Sequence, residues 1–137
     1  MYNRVMVIDD NAIDRYIAEV SIIKHQFAAE VITKESAVDA LDYLTLNATQ
    51  PTNLPTIIFL DINMPEVNGF EFMEAFEKLP PAIHQACDVI MLSSSIDPED
   101  HKNVTENRFV KLFLSKPLNK EKLKELLVGY QKSAALA

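Results

Sequence analysis

The chain has 137 residues, a formal net charge of −7 and an apolar fraction of 48%. This length predicts one domain with one core, and a charged fraction of 24% is typical of globular rather than disordered proteins. The acidic balance disfavours direct nucleic-acid binding, and no apolar run approaches the roughly 20 residues of a membrane helix. We therefore expect a cytoplasmic protein without membrane insertion, whose single cysteine, Cys87, is a buried thiol.

Five short runs rich in apolar and β-branched residues recur along the chain. They lie at residues 5–8, 30–33, 56–60, 89–92 and 112–115. Most of these runs are apolar throughout and do not alternate with polar residues, which is typical of strands that are covered on both faces. The runs therefore predict five strands of a parallel sheet.

Segments with helical spacing separate the predicted strands. In the first segment the recurring apolar residues are Ile13, Ile17, Val20, Ile23 and Phe27. That spacing predicts a helix that covers a sheet face with these residues. Ser36 and Asn119 are predicted N-caps of later helices. Strand alternating with helix five times predicts a doubly wound α/β fold, with residues 1–137 forming one domain and no output domain.

Polar residues follow four of the predicted strands at the same edge of the sheet. They are Asp9 and Asp10 after the first strand, Asp61 after the third, Ser93 after the fourth and Lys116 after the fifth. Ligands of open α/β sheets bind at this carboxyl edge. Three adjacent carboxylates repel one another, and a single lysine cannot neutralise them. A divalent cation with oxygen ligands, Mg²⁺ or Mn²⁺, is therefore expected.

Each of these residues also has an ordinary structural interpretation. The Asp9 and Asp10 pair could cap a helix, Asp61 could be a loop acid, Ser93 could belong to a turn, and Lys116 could be a surface lysine. Their joint placement in this order at one edge favours a functional site.

Four motifs together resemble the receiver domain of response regulators. They are the aspartate pair after the first strand, the sequence DINMP at residues 61–65, the serine after the fourth strand and the Lys116-Pro117 pair. The resemblance covers nearly the whole chain. It implies a flavodoxin-like (βα)5 fold with strand order 2-1-3-4-5, which sets the first and third strands side by side.

The resemblance implies that Asp61 takes a phosphoryl group from a phosphohistidine of a sensor histidine kinase or histidine phosphotransfer protein. Asp10 would bind Mg²⁺ directly and Asp9 mainly through water. The carboxylate of Asp61 and the backbone carbonyl of Asn63 would complete the protein ligands. The chain would then be a signalling switch that promotes its own Mg²⁺-dependent phosphorylation and dephosphorylation, and not a separate enzyme.

The same resemblance assigns the response to phosphorylation. Lys116 and Ser93 would contact phosphoryl oxygens, and Phe113 would turn inward with the loop after strand four. This movement would alter the face formed by the fourth helix, the fifth strand and the fifth helix, which would bind a downstream protein target. The Lys116-Pro117 peptide bond is expected to be cis.

Two features depart from the usual pattern of the family. Residues 105–117, which include predicted strand five and the segment before it, contain no glycine, and the loop at residues 47–55 has no readable role.

Two other functions remain open. A phosphatase of the haloacid-dehalogenase type also uses a nucleophilic aspartate, but after the first strand and with a cap, for which this chain is too short. A receiver-shaped interaction module that takes no phosphate is the second.

Overall fold

The computed structural model describes residues 1–94 and 107–129, in which strands alternate with helices. The strands are β1 (Tyr2–Ile8), β2 (Ala28–Lys34), β3 (Ile57–Asp61), β4 (Asp88–Ser93) and β5 (Val110–Ser115). The helices are α1 (Ala12–Lys24), α2 (Ala37–Leu46), α3 (Gly69–Glu77), the short α4 (Pro81–Ala86) and α5 (Lys120–Gly129). Each of the five predicted strand segments overlaps one of these strands. The helix expected between β4 and β5 falls on residues 95–106, outside the described part of the chain.

The five strands form one parallel sheet in the order β2-β1-β3-β4-β5. This result confirms the doubly wound, flavodoxin-like α/β sheet and its strand order. The register pairs Ile8 of β1 with Leu60 of β3, so the residues that follow them, Asp9 and Asp61, lie side by side at the carboxyl edge. Within the described residues, no helix is long and apolar enough to cross a bilayer.

Two hydrophobic layers cover the sheet, one on each face. Alternate residues of the central strands point to opposite layers: Ile58 and Leu60 pack with α2 and α3, whereas Ile57 and Phe59 pack with α1 and α5. Every residue of β3 and β4 is buried. Burial on both faces explains why these runs are apolar throughout.

The predicted buried face of α1 is wrong. Its expected residues Ile13, Ile17, Val20 and Ile23 are 42–70% exposed, whereas Ala18 and Ile22 face the core. Phe27 lies beyond the end of the helix, fully buried, and its ring packs between Tyr2 and Phe59. Isoleucine and valine occur on more than one side of α1, so helical spacing alone could not identify the buried side.

The structure confirms the two N-caps that the sequence predicts. Ser36 accepts a hydrogen bond from the backbone N–H of Asp39, and Asn119 accepts one from that of Lys122. In α1 the cap is Asn11, whose side chain accepts from two backbone N–H groups. The aspartate pair before it is therefore not engaged in capping.

The loop at residues 47–55 contains a short 3-10 turn, Pro51–Asn53, at the amino-terminal side of the sheet. The Tyr43 hydroxyl donates to the carbonyl of Asn53 at 2.7 Å, and the Arg4 guanidinium donates to the carbonyl of Thr52. These bonds join α2 to the start of β1. The loop thus links α2 to β1 at the end of the sheet opposite the acidic residues.

Candidate functional site

Three carboxylates meet where β1 and β3 end. One oxygen from each of Asp9, Asp10 and Asp61 lies within 4.8 Å of the other two. Asp9 and Asp61 are buried, at 3% and 5% exposure, whereas Asp10 is exposed. Hydrogen bonding between β1 and β3 produces this cluster, because it brings the two strand ends together.

Lys116, just beyond β5, supplies the positive charge. Its Nζ lies 2.7 Å from Asp9 Oδ2, 3.1 Å from Asp14 Oδ2 and 3.4 Å from Asp61 Oδ1. Burial alone would lower the pKa of Lys116, but its hydrogen bonds to Asp9 and Asp14 outweigh that effect, and the pKa is raised above its usual value. The lysine is therefore a permanent cation of the site.

The nucleophilic candidate, Asp61, is an unusually weak acid in this setting. Burial and then the charge of Asp9 raise its pKa to about 6, against the opposing influence of Lys116 and of the backbone N–H of Asn63. That N–H donates to Asp61 Oδ1 at 3.3 Å. The raised pKa thus reflects mainly the burial of this carboxylate and, after it, repulsion from Asp9.

The carboxylates fit a hard divalent cation, because such ions prefer oxygen ligands. Asp9 already has both oxygens engaged: Oδ1 accepts from the backbone N–H of Asn11 at 2.9 Å, and Oδ2 accepts from Lys116. In the described chain, the protein contacts of Asp61 fall on Oδ1, and Asp10 is exposed. Asp10 and Asp61 are therefore the carboxylates with oxygens open to a metal ion.

The turn after β3 is anchored from both ends. Ile62 and Met64 are buried in the core, whereas Asn63 between them is exposed. The backbone N–H of Gly69 donates to the carbonyl of Ile62 at 2.9 Å. A Cβ on Gly69 would stand 2.9 Å from Ile62 Cα and 3.1 Å from the Asp61 carbonyl, so only glycine allows this approach.

The remaining predicted residues lie at the ends of β4 and β5. Ser93 is fully buried, and its carbonyl accepts from the backbone N–H of Lys116 at 2.8 Å. Phe113 is half-buried in β5, paired in register with Met91. The peptide bond between Lys116 and Pro117 is cis.

Sequence reasoning missed three residues that contact the site. Asn11 caps α1 and donates to Asp9, Arg15 donates to the carbonyl of Asp9 at 2.9 Å, and Asp14 contacts Lys116. All three belong to the turn that follows the aspartate pair. Their position directly after the first strand could have indicated that they lie near the site, since the first helical turn must lie at the same edge of the sheet.

The fold and the site define a class: doubly wound α/β domains with an acidic, lysine-bearing site for a divalent cation at the carboxyl edge. The family described as "Response regulator receiver domain" matches residues 5–128. The chain therefore belongs to the response regulator receiver domain family of two-component signalling. This family consists of signalling switches that bind Mg²⁺ and interact with histidine kinases or phosphotransfer proteins, and its members are not enzymes in the usual sense.

Known proteins show how far the similarity extends. A two-component response regulator from Cytophaga hutchinsonii has a TM-score of 0.85 and 29% identity, covering 94% of this chain and 96% of that chain. The receiver domain of the Arabidopsis thaliana histidine kinase CKI1, solved with Mg²⁺, has a TM-score of 0.79 and 28% identity, covering 94% and 92%. Two-component response regulator ORR1 of Oryza sativa subsp. japonica is 27% identical over 125 residues, 90% of this chain and 53% of the rice protein. This chain thus spans about half the length of that relative.

Proposed function

We propose that Asp61 accepts a phosphoryl group from a phosphohistidine of a sensor histidine kinase or a histidine phosphotransfer protein. The observation that supports this proposal is a buried aspartate, 3.4 Å from a lysine ammonium, with two further carboxylates close enough to share a cation. The domain would act in the cytoplasm through contact with a downstream protein.

Transfer requires a carboxylate oxygen that can attack phosphorus in line with the leaving imidazole. Asp61 has two carboxylate oxygens, so while one helps to hold the cation the other can attack. A bond forms between this oxygen and phosphorus as the bond between phosphorus and the histidine nitrogen breaks, and the nitrogen keeps the electron pair. A pKa of about 6 leaves Asp61 mostly ionised at neutral pH, as the attack requires.

Asp10, Asp61 and the backbone carbonyl of Asn63 would hold Mg²⁺, with Asp9 acting through water; Mn²⁺ has the same ligand preferences. When bound, the ion supplies positive charge to the phosphoryl oxygens. Lys116 supplies charge from the side of β5, as a compact ammonium that can follow a phosphoryl oxygen. Ser93 would donate a hydrogen bond from its hydroxyl.

Phosphorylation would place a phosphoryl group of about −1.5 to −2 units of charge beside Lys116 and Ser93, in place of the single charge of the Asp61 carboxylate. Both residues then gain an anionic partner, and Phe113 would turn inward from its half-buried position on β5. The output face would consist of β5, α5 and the helix expected at residues 95–106. Phosphorylation would shift the population between two states of this face by the difference in free energy that it creates.

The test is the intact mass of the protein after incubation with acetyl phosphate, with and without Mg²⁺. We expect the wild type to gain one phosphoryl group only when Mg²⁺ is present, and Asp61→Asn to gain none. Asp88→Asn is the matched control, because Asp88 is also a buried strand aspartate, at 6% exposure, but lies at the opposite end of β4. We expect Lys116→Ala to retain some phosphorylation and to give weaker NMR shifts in β5 and α5.

Other results would identify the alternatives. If no variant gains mass under any condition, the chain is a phosphate-independent interaction module. If a phosphate ester is turned over many times, the chain is a phosphatase. Labelling of Asp61→Asn at another residue would contradict the assignment of the acceptor.

A further inference from the structure

Asp14 contacts the cation of the site although the receiver motifs assign it no role. It is the third residue of α1, and its Oδ2 lies 3.1 Å from Lys116 Nζ. The distance from the same Nζ to Asp61 Oδ1 is longer, 3.4 Å. Among these acids, Lys116 thus forms its shorter contacts with Asp9 and Asp14.

We propose that Asp14 is a positioning residue that holds the Lys116 ammonium on the α1 side of the site and so opposes its transfer to a phosphoryl group on Asp61. This inference rests on the proposed function. Asp14 would thus disfavour the phosphorylated state.

The number of donors on an ammonium group supports the competition. Lys116 has three N–H donors, and hydrogen bonds to Asp9 and Asp14 use two of them. A phosphoryl group on Asp61 would bring several anionic oxygens to the same ammonium. The carboxylate of Asp14 then competes for Lys116 and also repels the added negative charge.

Exposure identifies Asp14 as the partner that Lys116 can release. The side chain of Asp14 is 40% exposed, so water can solvate its carboxylate when the lysine leaves. The side chain of Asp9 is only 4% exposed, and losing the lysine would leave a buried charge without compensation. Movement of Lys116 toward Asp61 should therefore break the contact with Asp14 and keep the contact with Asp9.

A purely structural role of Asp14 is the competing explanation. An acid in the first turn of a helix stabilises that helix through the dipole. Asp39 is a matched control for this effect, because it occupies the equivalent third position of α2, after the cap Ser36, and is exposed. Asp39→Asn and Asp14→Asn remove the same charge from the same place in a helix.

The experiment is an NMR titration of each protein with beryllofluoride, a phosphoryl analogue, in the presence of Mg²⁺. Loss of a partly exposed ion pair changes a binding constant by about two- to five-fold. We expect Asp14→Asn to lower the half-saturating concentration by about that factor, and Asp39→Asn to leave it unchanged. Asp14→Glu, which restores a carboxylate, should return it toward the wild-type value.

A second measurement, without beryllofluoride, separates the local contact from a long-range charge effect. Exchange of the Lys116 ammonium protons with water should be faster in Asp14→Asn than in wild type or Asp39→Asn. Unchanged exchange, or an unchanged titration midpoint in Asp14→Asn, would overturn the inference while the proposed function stands. If the wild type binds no beryllofluoride at all, the proposed function fails, and the inferred role of Asp14 fails with it.

Discussion

The Lys116 ammonium lies 3.4 Å from the Asp61 carboxylate, although the two residues are 55 positions apart in sequence, because β4 alone lies between β3, which ends at Asp61, and β5, which Lys116 follows. The lysine is 15% exposed and the aspartate side chain 6%. Their charges are thus held in a weakly solvated environment, where each is sensitive to loss of the other.

Lys116→Ala should destabilise the metal-free protein at pH 7 by about 2–4 kcal/mol, because Asp9 and Asp61 would be left as buried charges without compensation. Added Mg²⁺ should restore more stability to this variant than to wild type, since the cation can replace the missing charge. Urea unfolding with a chelator or with Mg²⁺ measures both effects. Lys111→Ala removes an exposed lysine of β5 and should change stability little; equal losses in the two variants would contradict the argument.

Asp61→Asn should stabilise the metal-free protein at pH 7 and have little effect near pH 4. The pKa of Asp61 is raised to about 6 by burial, so the folded chain binds this proton more tightly than the unfolded chain does. The associated stability is present below about pH 4 and is lost as the pH rises through 6. Removing the ionisable group should therefore add at most about 3 kcal/mol at pH 7.

Unfolding of both proteins across pH 4–8 in a chelator provides the measurement. Asp42→Asn, which removes an exposed carboxylate of α2, is the control for the change in net charge. A gain from Asp61→Asn of the same size at pH 4 and pH 7 would show that the proton on Asp61 is not its source.

The sequence predicted the sheet, and the position of the candidate site residues at its carboxyl edge, because these signals are local. Apolar runs buried on both faces marked the strands, and the residues that follow them had to lie at one edge. Contacts that depend on how a helix is rotated or placed could not be predicted in this way. The hydrogen bond between Asp14 and Lys116 joins residues 102 positions apart, and it depends on how the first turn of α1 faces the end of β5.

The orientation of α1 is the clearest example. Ile22 and Ile23 are identical neighbours, yet Ile22 is fully buried and Ile23 is 46% exposed. The apolar spacing in the sequence predicts Ile23, and not Ile22, on the buried side of the helix. Ala18 lies on the same side of the helix as Ile22, in the hydrophobic layer that covers this face of the sheet.

This pair allows a matched test of the orientation. Ile22→Ala should cost about 2–5 kcal/mol, since it removes methyl groups from a closed core. Ile23→Ala changes the same side chain at an exposed position and should stay within about 0.5 kcal/mol of wild type. Chemical denaturation of the two variants under the same conditions measures the difference. The reverse order would show that α1 is rotated so that Ile23 faces the core.

The two glycines among the described residues provide a test of the turn that holds Asp61. Gly69→Ala would place a Cβ 2.9 Å from the Cα of Ile62, where the neighbour is backbone and cannot move without shifting the end of β3. We expect a loss of about 1–3 kcal/mol in stability. The rate of phosphorylation by acetyl phosphate should also fall, because the displaced segment carries the acceptor.

Gly129→Ala is the control, since a Cβ there would have no heavy atom within 4 Å and alanine favours a helix. It should leave phosphorylation unchanged and be neutral or slightly stabilising. Wild-type stability and phosphorylation in Gly69→Ala would mean that the turn can relax, and that the close approach of Gly69 to Asp61 does not position the acceptor. If Gly69→Ala instead loses phosphorylation but keeps wild-type stability, the glycine acts only through the geometry of the site.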